Sequence, residues 1–305
     1  MDDLKILAKK ARELSYLHHG RKITFYIPGM FYYNGIRGNF PGISLTGKSC
    51  GLNCDHCQGK LLESMIPVEN PEELLNIYEL HKSNNFSGFL LSGGFDTNHT
   101  IPLTRFIPAI KKIKERTGLK ISLHCGIIDY QTCIMLKEAG IDQALIDVIG
   151  DDDTIRNVYK TDKKVSDIIK TIKNLLSAQI PVIPHIVVGI DYGRIVGEYK
   201  AIDLIKEFPV NMIVFVSLMP VPGTPMENIK TPDAEDIARL MINARFKMPD
   251  VIIALGCARR RGYKDIDLWA IECGVNRIAL PADEAVAKAK DFKLFIEWQK
   301  TCCSL

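Results

Sequence analysis

The sequence predicts a closed (β/α)8 barrel, and three observations carry that reading. Apolar strand-like runs alternate with amphipathic helical patterns along most of the chain, which builds a parallel sheet covered by helices on its outside. Eight strand–helix units can be counted if Gly42 to Leu45 is the first strand, and eight such units close a barrel. The length of 305 residues, with 47% hydrophobic and 25% charged residues, suits one such domain.

The units follow in order. Pro71 starts a helix over Glu72 to Asn84, which leads to the apolar run Gly88 to Ser92 and the turn Gly93-Gly94. A helix over Leu103 to Arg116 carries Phe106, Ile107, Ile110 and Ile113. Strand Lys120 to His124, helix Tyr130 to Ala139 and strand Gln143 to Ile149 come next. Val165, Ile168, Ile169, Ile172, Leu175 and Leu176 share one face of a helix over Val165 to Leu176. Strand Val182 to Val188 reads as broken by Pro184, and helix Tyr199 to Phe208 precedes the apolar strand Met212 to Leu218. The last third repeats the theme with helix Asp233 to Phe246, strand Val251 to Leu255, helix Asp265 to Glu272, strand Arg277 to Leu280 and helix Asp283 to Phe295. The two late apolar runs call for a complete eight-stranded barrel and not a six-stranded one. Residues 1–40 then form an N-terminal helix, about Asp3 to Leu17, and an extended lead-in segment. Residues 41–295 form the barrel and 296–305 a cysteine-bearing tail.

The net charge of +3 gives no argument for nucleic acid or a membrane surface. No run of 18 apolar residues predicts a membrane span. Acidic residues stand at the very start, where a secretory signal would be apolar, so a cytoplasmic, thiol-reducing location is expected. Nine cysteines in such a compartment call for metal or redox chemistry.

Chemistry in a barrel sits at the C-terminal ends of the strands, and Cys50, Cys54 and Cys57 follow strand one in the order C-x3-C-x2-C. Three thiolates from one loop hold three irons of a [4Fe–4S] cube and leave the fourth iron open. The competing assignment is a zinc knuckle. Zinc wants a fourth Cys or His nearby, and the near one, His56, is adjacent to Cys57 where it would strain a tetrahedron.

Together with its place in the barrel, this motif resembles the radical S-adenosylmethionine (SAM) superfamily, over about residues 40 to 290 and most nearly in its biotin-synthase-like branch. The resemblance implies that SAM chelates the open iron and is cleaved to a 5′-deoxyadenosyl radical. Ser92-Gly93-Gly94 matches the superfamily's Gly-Gly turn, whose backbone faces the SAM amino group, with Phe95 where an acidic residue is usual. Ile186-Val187-Val188-Gly189 is similar to the fifth-strand segment that packs on adenine and methionine, so Val188 and Gly189 are candidate SAM contacts. Val221-Pro222-Gly223-Thr224-Pro225 resembles the loop after strand six. Asp147 lies where the family places a polar residue on the SAM ribose, and His185 is a candidate for the same pocket. His124 and Asp191, also near strand ends, read as hydrogen-bonded packing residues.

Biotin synthase itself carries a second cluster with cysteines on strands two, three and five. Here strands two and five have none, and Cys125 is out of phase. Cys133 and Cys273 read as core residues. That leaves Cys257 after strand seven and Cys302-Cys303 in the tail as candidate ligands of a second iron–sulfur cluster, with a flexible tail of incidental thiols as the alternative. Ser304 resembles the serine that bacterial-type lipoyl synthases place on an auxiliary cluster. The layout, with Gly256-Cys257-Ala258-Arg259 and Cys302-Cys303-Ser304, also resembles biotin-synthase homologues that act in pairs as a lipoyl synthase. This resemblance implies sulfur insertion into an octanoyl chain on a carrier protein or domain. A second radical SAM protein would be the partner, and ferredoxin or flavodoxin the electron donor. Arg259-Arg260-Arg261 would then be a basic docking rim, or simply a solvated loop. Two other functions stay open. One is a different C–H-activating enzyme, akin to methylornithine synthase or a hydrogenase maturase, and the other is a non-catalytic iron–sulfur partner subunit.

Overall fold

In the computed structural model residues 2–29 and 31–305 are described, the side chains of 2 and 78–84 excepted. Helix α1 (Asp2–His19) leads into strand β1 (Lys22–Tyr26) and a small hairpin, β2 (Tyr32–Tyr33) and β3 (Ile36–Arg37). The repeat then begins with β4 (Gly42–Ser44), the cysteine loop, a short β5 (Ile66–Pro67) and α2 (Pro71–Asn84). It continues through β6 (Gly88–Ser92), α3 (Leu103–Thr117), β7 (Lys120–His124), α4 (Tyr130–Glu138) and β8 (Gln143–Asp147). Two helices, α5 (Asp152–Tyr159) and α6 (Val165–Ser177), separate β8 from β9 (Val182–Val188). There follow α7 (Glu198–Ile205), β10 (Met212–Ser217), α8 (Ala234–Lys247), β11 (Ile252–Leu255), α9 (Lys264–Glu272), β12 (Arg277–Ala279), α10 (Asp283–Asp291) and β13 (Phe295–Gln299).

All neighbours in the main sheet are parallel, in the order β13-β1-β12-β11-β10-β9-β8-β7-β6-β4-β5. The eight strands of the repeat therefore stand side by side in sequence order, as expected, and both late apolar runs are strands. The sheet curls, because Tyr26 of β1 meets Leu145 of β8 and Ile183 of β9 in one apolar cluster inside it. Outward side chains such as Ile121, Leu123, Ile213 and Phe215 pack under the helices in a larger core.

Four expectations need correction. The ladder does not close between β4 and β12, because the segment read as an extended lead-in is strand β1 and takes the place beside β12. The far edge is the two-residue β5 with Pro67, a blunt edge that discourages further pairing. Strand β9 passes through Pro184 without a break, its residue 184 in register with Ile146; the extended backbone tolerates proline at the loss of one ladder bond. The last helix stops at Asp291, and Phe295–Gln299 is a strand paired along β1, so residues 296–305 are no free tail. Helix α5 has no counterpart in the sequence reading. Its start is fixed by Asp151, whose carboxylate accepts from Thr154 N at 2.7 Å.

The supposed basic rim is also different. Arg259 is 2% exposed and forms a bidentate pair with Asp267, Nε to Oδ1 and Nη2 to Oδ2, both at 2.8 Å. It also donates to the carbonyls of Gly256, Ala279 and Leu280. Arg261 donates to the carbonyls of Cys257 and Leu280, while Arg260 lies over the Tyr263 ring. Arg259 is thus a tie between the loops after β11 and β12. Breaking a buried ion pair from one side leaves the other charge stranded and costs about 3–5 kcal/mol. We expect Arg259→Met to lose stability on that scale in urea unfolding, and Arg260→Met to stay within about 0.5 kcal/mol of the parent. Equal behaviour of the two variants would contradict the buried tie.

Candidate active site

The cysteine loop leaves β4 at the C-terminal end of the sheet. Cys54 is buried, and Cys50 and Cys57 are half-buried. A tight turn holds them, with Cys57 N and Gln58 N donating to Cys54 O at 3.2 and 2.9 Å. The loop is tied to α5, where Asp55 N donates to Val158 O at 2.9 Å and the Asp55 carboxylate pairs with Lys160 at 2.7 Å. Tyr192 donates to the same carboxylate. A second tie runs to the turn after β6, where Gly51 N donates to Phe95 O at 2.6 Å. Gly94 must be glycine for this contact, because a Cβ there would stand 1.9 Å from Ser49 O and 2.6 Å from Cys50 Cα. Phe95, in place of the expected acidic residue, stacks on His99 with centroids 4.5 Å apart.

These residues fit a [4Fe–4S] cluster. Burial, reinforced by the neighbouring thiols Cys57 and Cys50, pushes the Cys54 thiol far up, and burial raises Cys57 as well. Such thiols become ligands when a metal displaces their protons. Among the described residues no three His, Cys, Asp or Glu side chains stand close enough to share one bare metal ion. Three thiols carried by one loop suit ligands spread over separate irons. His56 is half-buried, with its ring 5.3 Å from Tyr159 and its buried Nδ1 without a partner among the described residues, and desolvation lowers its pKa.

Beside this loop a cavity is lined by Phe95, His99, His124, Asp147, Tyr159 and Lys163, among others. His99 Nδ1 is buried there and has no hydrogen-bond partner among the described residues. Burial takes His99 down to about 4, leaving a neutral ring with a free polar atom. His124 Nε2 lies 3.3 Å from Asp147 Oδ1. Asp147 is in register with His185, which donates from Nδ1 to Ile183 O at 3.0 Å. Burial alone would raise Asp147, but His124 and, less strongly, His185 and His56 hold it at about 2. Burial takes His185 down to about 4. His124 goes the other way: burial opposes its charge, yet the charge and hydrogen bond of Asp147 prevail and raise its pKa.

The tail turns back into the barrel. Cys303 and Ser304 are 2% and 1% exposed, and Cys303 belongs to the lumen cluster against which Cys257 and Cys302 pack. Gln143 Nε2 donates to Ser304 Oγ and to Ser122 Oγ, each at 3.0 Å. Ser304 Oγ in turn donates to Cys302 Sγ at 3.1 Å. Hydrogen bonds from Cys303 and Ser304 lower the Cys302 thiol below the usual thiol range, while the same contact and burial raise Cys303. Burial and the nearby Cys302 raise Cys257. The structure therefore brings Cys257, Cys302 and Cys303 together.

Other predicted residues separate by strand alternation. Asp147 and His185 face the lumen with His124. Ser92 and Gly93 lie on the turn against the cysteine loop, where Thr46 Oγ1 would stand 3.2 Å from a Cβ on Gly93. Val188 points outward into the helix-covered core, and its neighbour Val187 meets the lumen cluster. Gly189 has φ +78°, packs on Pro232 and donates its N–H to the buried Glu198 at 2.7 Å, so that donor is already used. Asp191 is paired with Arg194 at 2.6 Å. Cys125, Cys133 and Cys273 are buried in the outer core. The sequence reading missed His99, Tyr159, Gln143, Arg277 and Tyr26. The signal for Gln143 was available, since polar residues an even number apart (Ser122 and His124 by two, Gln143 and Asp147 by four) mark the inner row of otherwise apolar strands.

The His124–Asp147 pair yields a pH prediction. A raised imidazole stabilises the fold fully below its ordinary value of 6.5, and that contribution is lost as pH rises through the folded value. The depressed Asp147 contributes above its ordinary value and loses this only as pH falls towards about 2. In an NMR titration His124 should half-titrate above 6.5 in the parent and below it in Asp147→Asn, where burial outweighs the remaining, weaker influence of Cys302. An unchanged His124 midpoint would show that the pair is not coupled.

Comparison with known proteins agrees with this geometry. Residues 44–196 match the Radical SAM superfamily, and residues 209–293 match the Biotin and Thiamin Synthesis associated domain. Biotin synthase of Coxiella burnetii (strain RSA 493 / Nine Mile phase I) is 26% identical over 249 residues, covering 77% of this chain and 74% of the relative. Biotin synthase of Clostridioides difficile (strain 630) is 31% identical over 168 residues, 54% of this chain and 50% of the relative. Among solved structures, methylornithine synthase (PylB) superposes with a TM-score of 0.68 at 16% identity, covering 97% of this chain and 89% of that one. The FeFe-hydrogenase maturase HydG from Carboxydothermus hydrogenoformans gives 0.69 at 15% identity, with 97% and 72% covered. These two share the fold. No helix of the described residues is long and apolar enough to cross a membrane. The cysteine loop at the strand ends, the curled parallel sheet and the matched family together identify the chain as a member of the radical SAM superfamily, an enzyme whose cofactors are a [4Fe–4S] cluster and SAM.

Proposed function

We propose that this enzyme inserts sulfur into an aliphatic chain, with lipoyl synthesis on an octanoylated carrier as the reaction and a second radical SAM protein as partner. The observation that carries this reading is the tail: Cys302 and Cys303 fold into the barrel lumen beside Cys257. Three neighbouring thiols there support a second iron–sulfur cluster, which would supply the sulfur. The first cluster, which Cys50, Cys54 and Cys57 would hold, would supply the electron for SAM cleavage and so the radical that removes hydrogen from the substrate.

The chain's own residues do the rest. Cys50, Cys54 and Cys57 hold the first cluster. The Ser92-Gly93-Gly94 turn presses on their loop and sets its position. Asp147, kept ionised by His124, offers a carboxylate to the ribose hydroxyls of SAM. His99 Nδ1 is a free acceptor or donor for the adenosyl group in the same cavity. The lumen side chains Leu145, Ile183, Val214 and Val216 exclude water from the aliphatic substrate. Reduced ferredoxin or flavodoxin supplies the electron.

Anaerobic incubation with SAM, reductant, octanoylated carrier and the candidate second protein tests the reading by product mass. A gain of sulfur with loss of cluster iron is expected. SAM cleavage with no sulfur gain would point to another C–H-activating reaction, and no SAM cleavage to a non-catalytic partner subunit. The Cys50, Cys54 and Cys57→Ala triple variant should lose both first-cluster iron and 5′-deoxyadenosine formation. Deleting residues 301–305 should lower iron per chain and abolish product while SAM cleavage persists. Unchanged iron and product after the deletion would remove the tail from the mechanism.

A further inference from the structure

We infer that Gln143, Arg277 and Tyr26 form a latch that positions the tail, so that Cys302 and Cys303 are held against Cys257 where the second cluster assembles. The inference rests on the reading of those three cysteines as ligands, and it adds the residues that make the site possible.

A tail with adjacent thiols is a poor ligand set by itself. Its backbone has many conformations, and each thiol must be fixed before a rigid cluster can be shared with a third residue on another loop. Pre-organisation removes that entropic cost. Within the tail the hydrogen bonds are local: Leu305 N donates to Cys302 O at 3.1 Å, Thr301 Oγ1 to the same carbonyl at 3.4 Å and Ser304 Oγ to Cys302 Sγ at 3.1 Å. What fixes it comes from the barrel wall. Arg277 Nη1 donates to Cys303 O at 3.0 Å and also to Leu305 O. Tyr26 donates its hydroxyl to Leu305 O at 3.3 Å, and the Arg277 guanidinium lies 5.5 Å from the Tyr26 ring centre. Gln143 closes the latch from the opposite wall by its hydrogen bond to Ser304 Oγ, which itself contacts Cys302 Sγ.

The contacts alternate along the tail with the cysteines. Cys303 O and Ser304 Oγ are held from two sides of the lumen, and Cys303 lies in the lumen cluster against which Cys257 and Cys302 pack. The latch also accounts for polar groups that have no place in an apolar lumen. Gln143 is 8% exposed and Ser122 fully buried, and without the tail the Gln143 amide would lose a partner in a region it shares with Leu145 and Met212. Gln143 opens β8 and Arg277 opens β12, at the end of the sheet opposite the cysteine loop. The latch thus acts on the second site from below and stands apart from Cys50, Cys54 and Cys57.

The test compares full chains carrying Arg277→Met, Gln143→Leu, Tyr26→Phe or Arg277→Lys with the parent and with the 301–305 deletion. Two readouts are taken: iron and sulfide per chain after anaerobic reconstitution, and the alkylation rate of Cys303, mapped by mass, after iron is chelated. Arg277→Met and Gln143→Leu should bring iron down to the level of the deletion and speed Cys303 labelling, about tenfold or more for Arg277→Met, which loses hydrogen bonds from a charged group, and about threefold or more for Gln143→Leu, which loses a neutral one. Arg277→Lys should restore iron in part, because both tail contacts of Arg277 come from one nitrogen. Tyr26→Phe removes a single hydroxyl and should shift labelling in the same direction, which keeps the test alive if a larger change does not fold. Unchanged labelling in all the variants overturns the latch. Faster labelling with parental iron, where the deletion does lose iron, overturns its role in positioning the cluster. If the deletion itself keeps parental iron, the ligand reading falls and the positioning role with it.

Discussion

Strict alternation along a parallel ladder divides each strand into an outer and an inner row, and the rest of this molecule follows from that constraint. The outer row is apolar and lies under the helices: Ile121 and Leu123, Ala144 and Ile146, Ile213 and Phe215. The inner row must be both a core and a site. Its middle is apolar, with Leu145, Ile183, Val214 and Ala254 in one cluster. Its ends carry Asp147, His124 and His185 towards the cysteine loop, and Gln143 and Arg277 at the other end. Each buried polar group in that row needs a partner. At the upper end Asp147 and His124 partner each other and His185 bonds the Ile183 carbonyl, and at the lower end partners are supplied by the tail.

The same low-dielectric interior governs the thiols. Burial penalises the thiolate, so Cys54, Cys57 and Cys257 hold their protons more tightly than a free cysteine. Iron binding therefore releases protons and should be coupled to pH at both sites. Cys302 differs because Cys303 and Ser304 direct hydrogen bonds at its sulfur. One thiol of the second set is thus prepared for ligation before the others. The first site has a comparable preparation in its backbone: Gly51 and Phe95 join the cysteine loop to the turn after β6, so the loop geometry is built by the barrel and not by the metal alone.

The sheet's failure to close has a structural use. With β1 between β12 and β13, the chain finishes its last strand beside the lumen. Five further residues then suffice to reach Gln143 and Arg277. A barrel closed by pairing between β4 and β12 would leave β13 no neighbour, and the tail would start outside the wall.

Much of this was written in local pattern. Apolar runs of period two and helical faces of period 3.6 sufficed for eight strands in order and most of their helices, because those signals depend on neighbours a few residues away. The spacing of Cys50, Cys54 and Cys57 is likewise local, since one loop carries all three. Pairings between distant segments were not legible. Lys22–Tyr26 looks like a connecting segment until Arg277–Ala279 and Phe295–Gln299 lie on either side of it. Arg259 reads as part of a basic run until Asp267 and three carbonyls surround its guanidinium. Val188 and Val187 are interchangeable in sequence, and only the register of β9 in the sheet assigns one to the outer core and the other to the lumen. The sequence alone determined which residues can form strands, helices and a three-thiol loop. Which polar groups meet inside the barrel, Gln143 with Ser304 and Arg277 with Cys303 above all, was decided by tertiary structure, because contacts 161 and 26 residues apart exist only once the curled sheet brings its walls together around the tail.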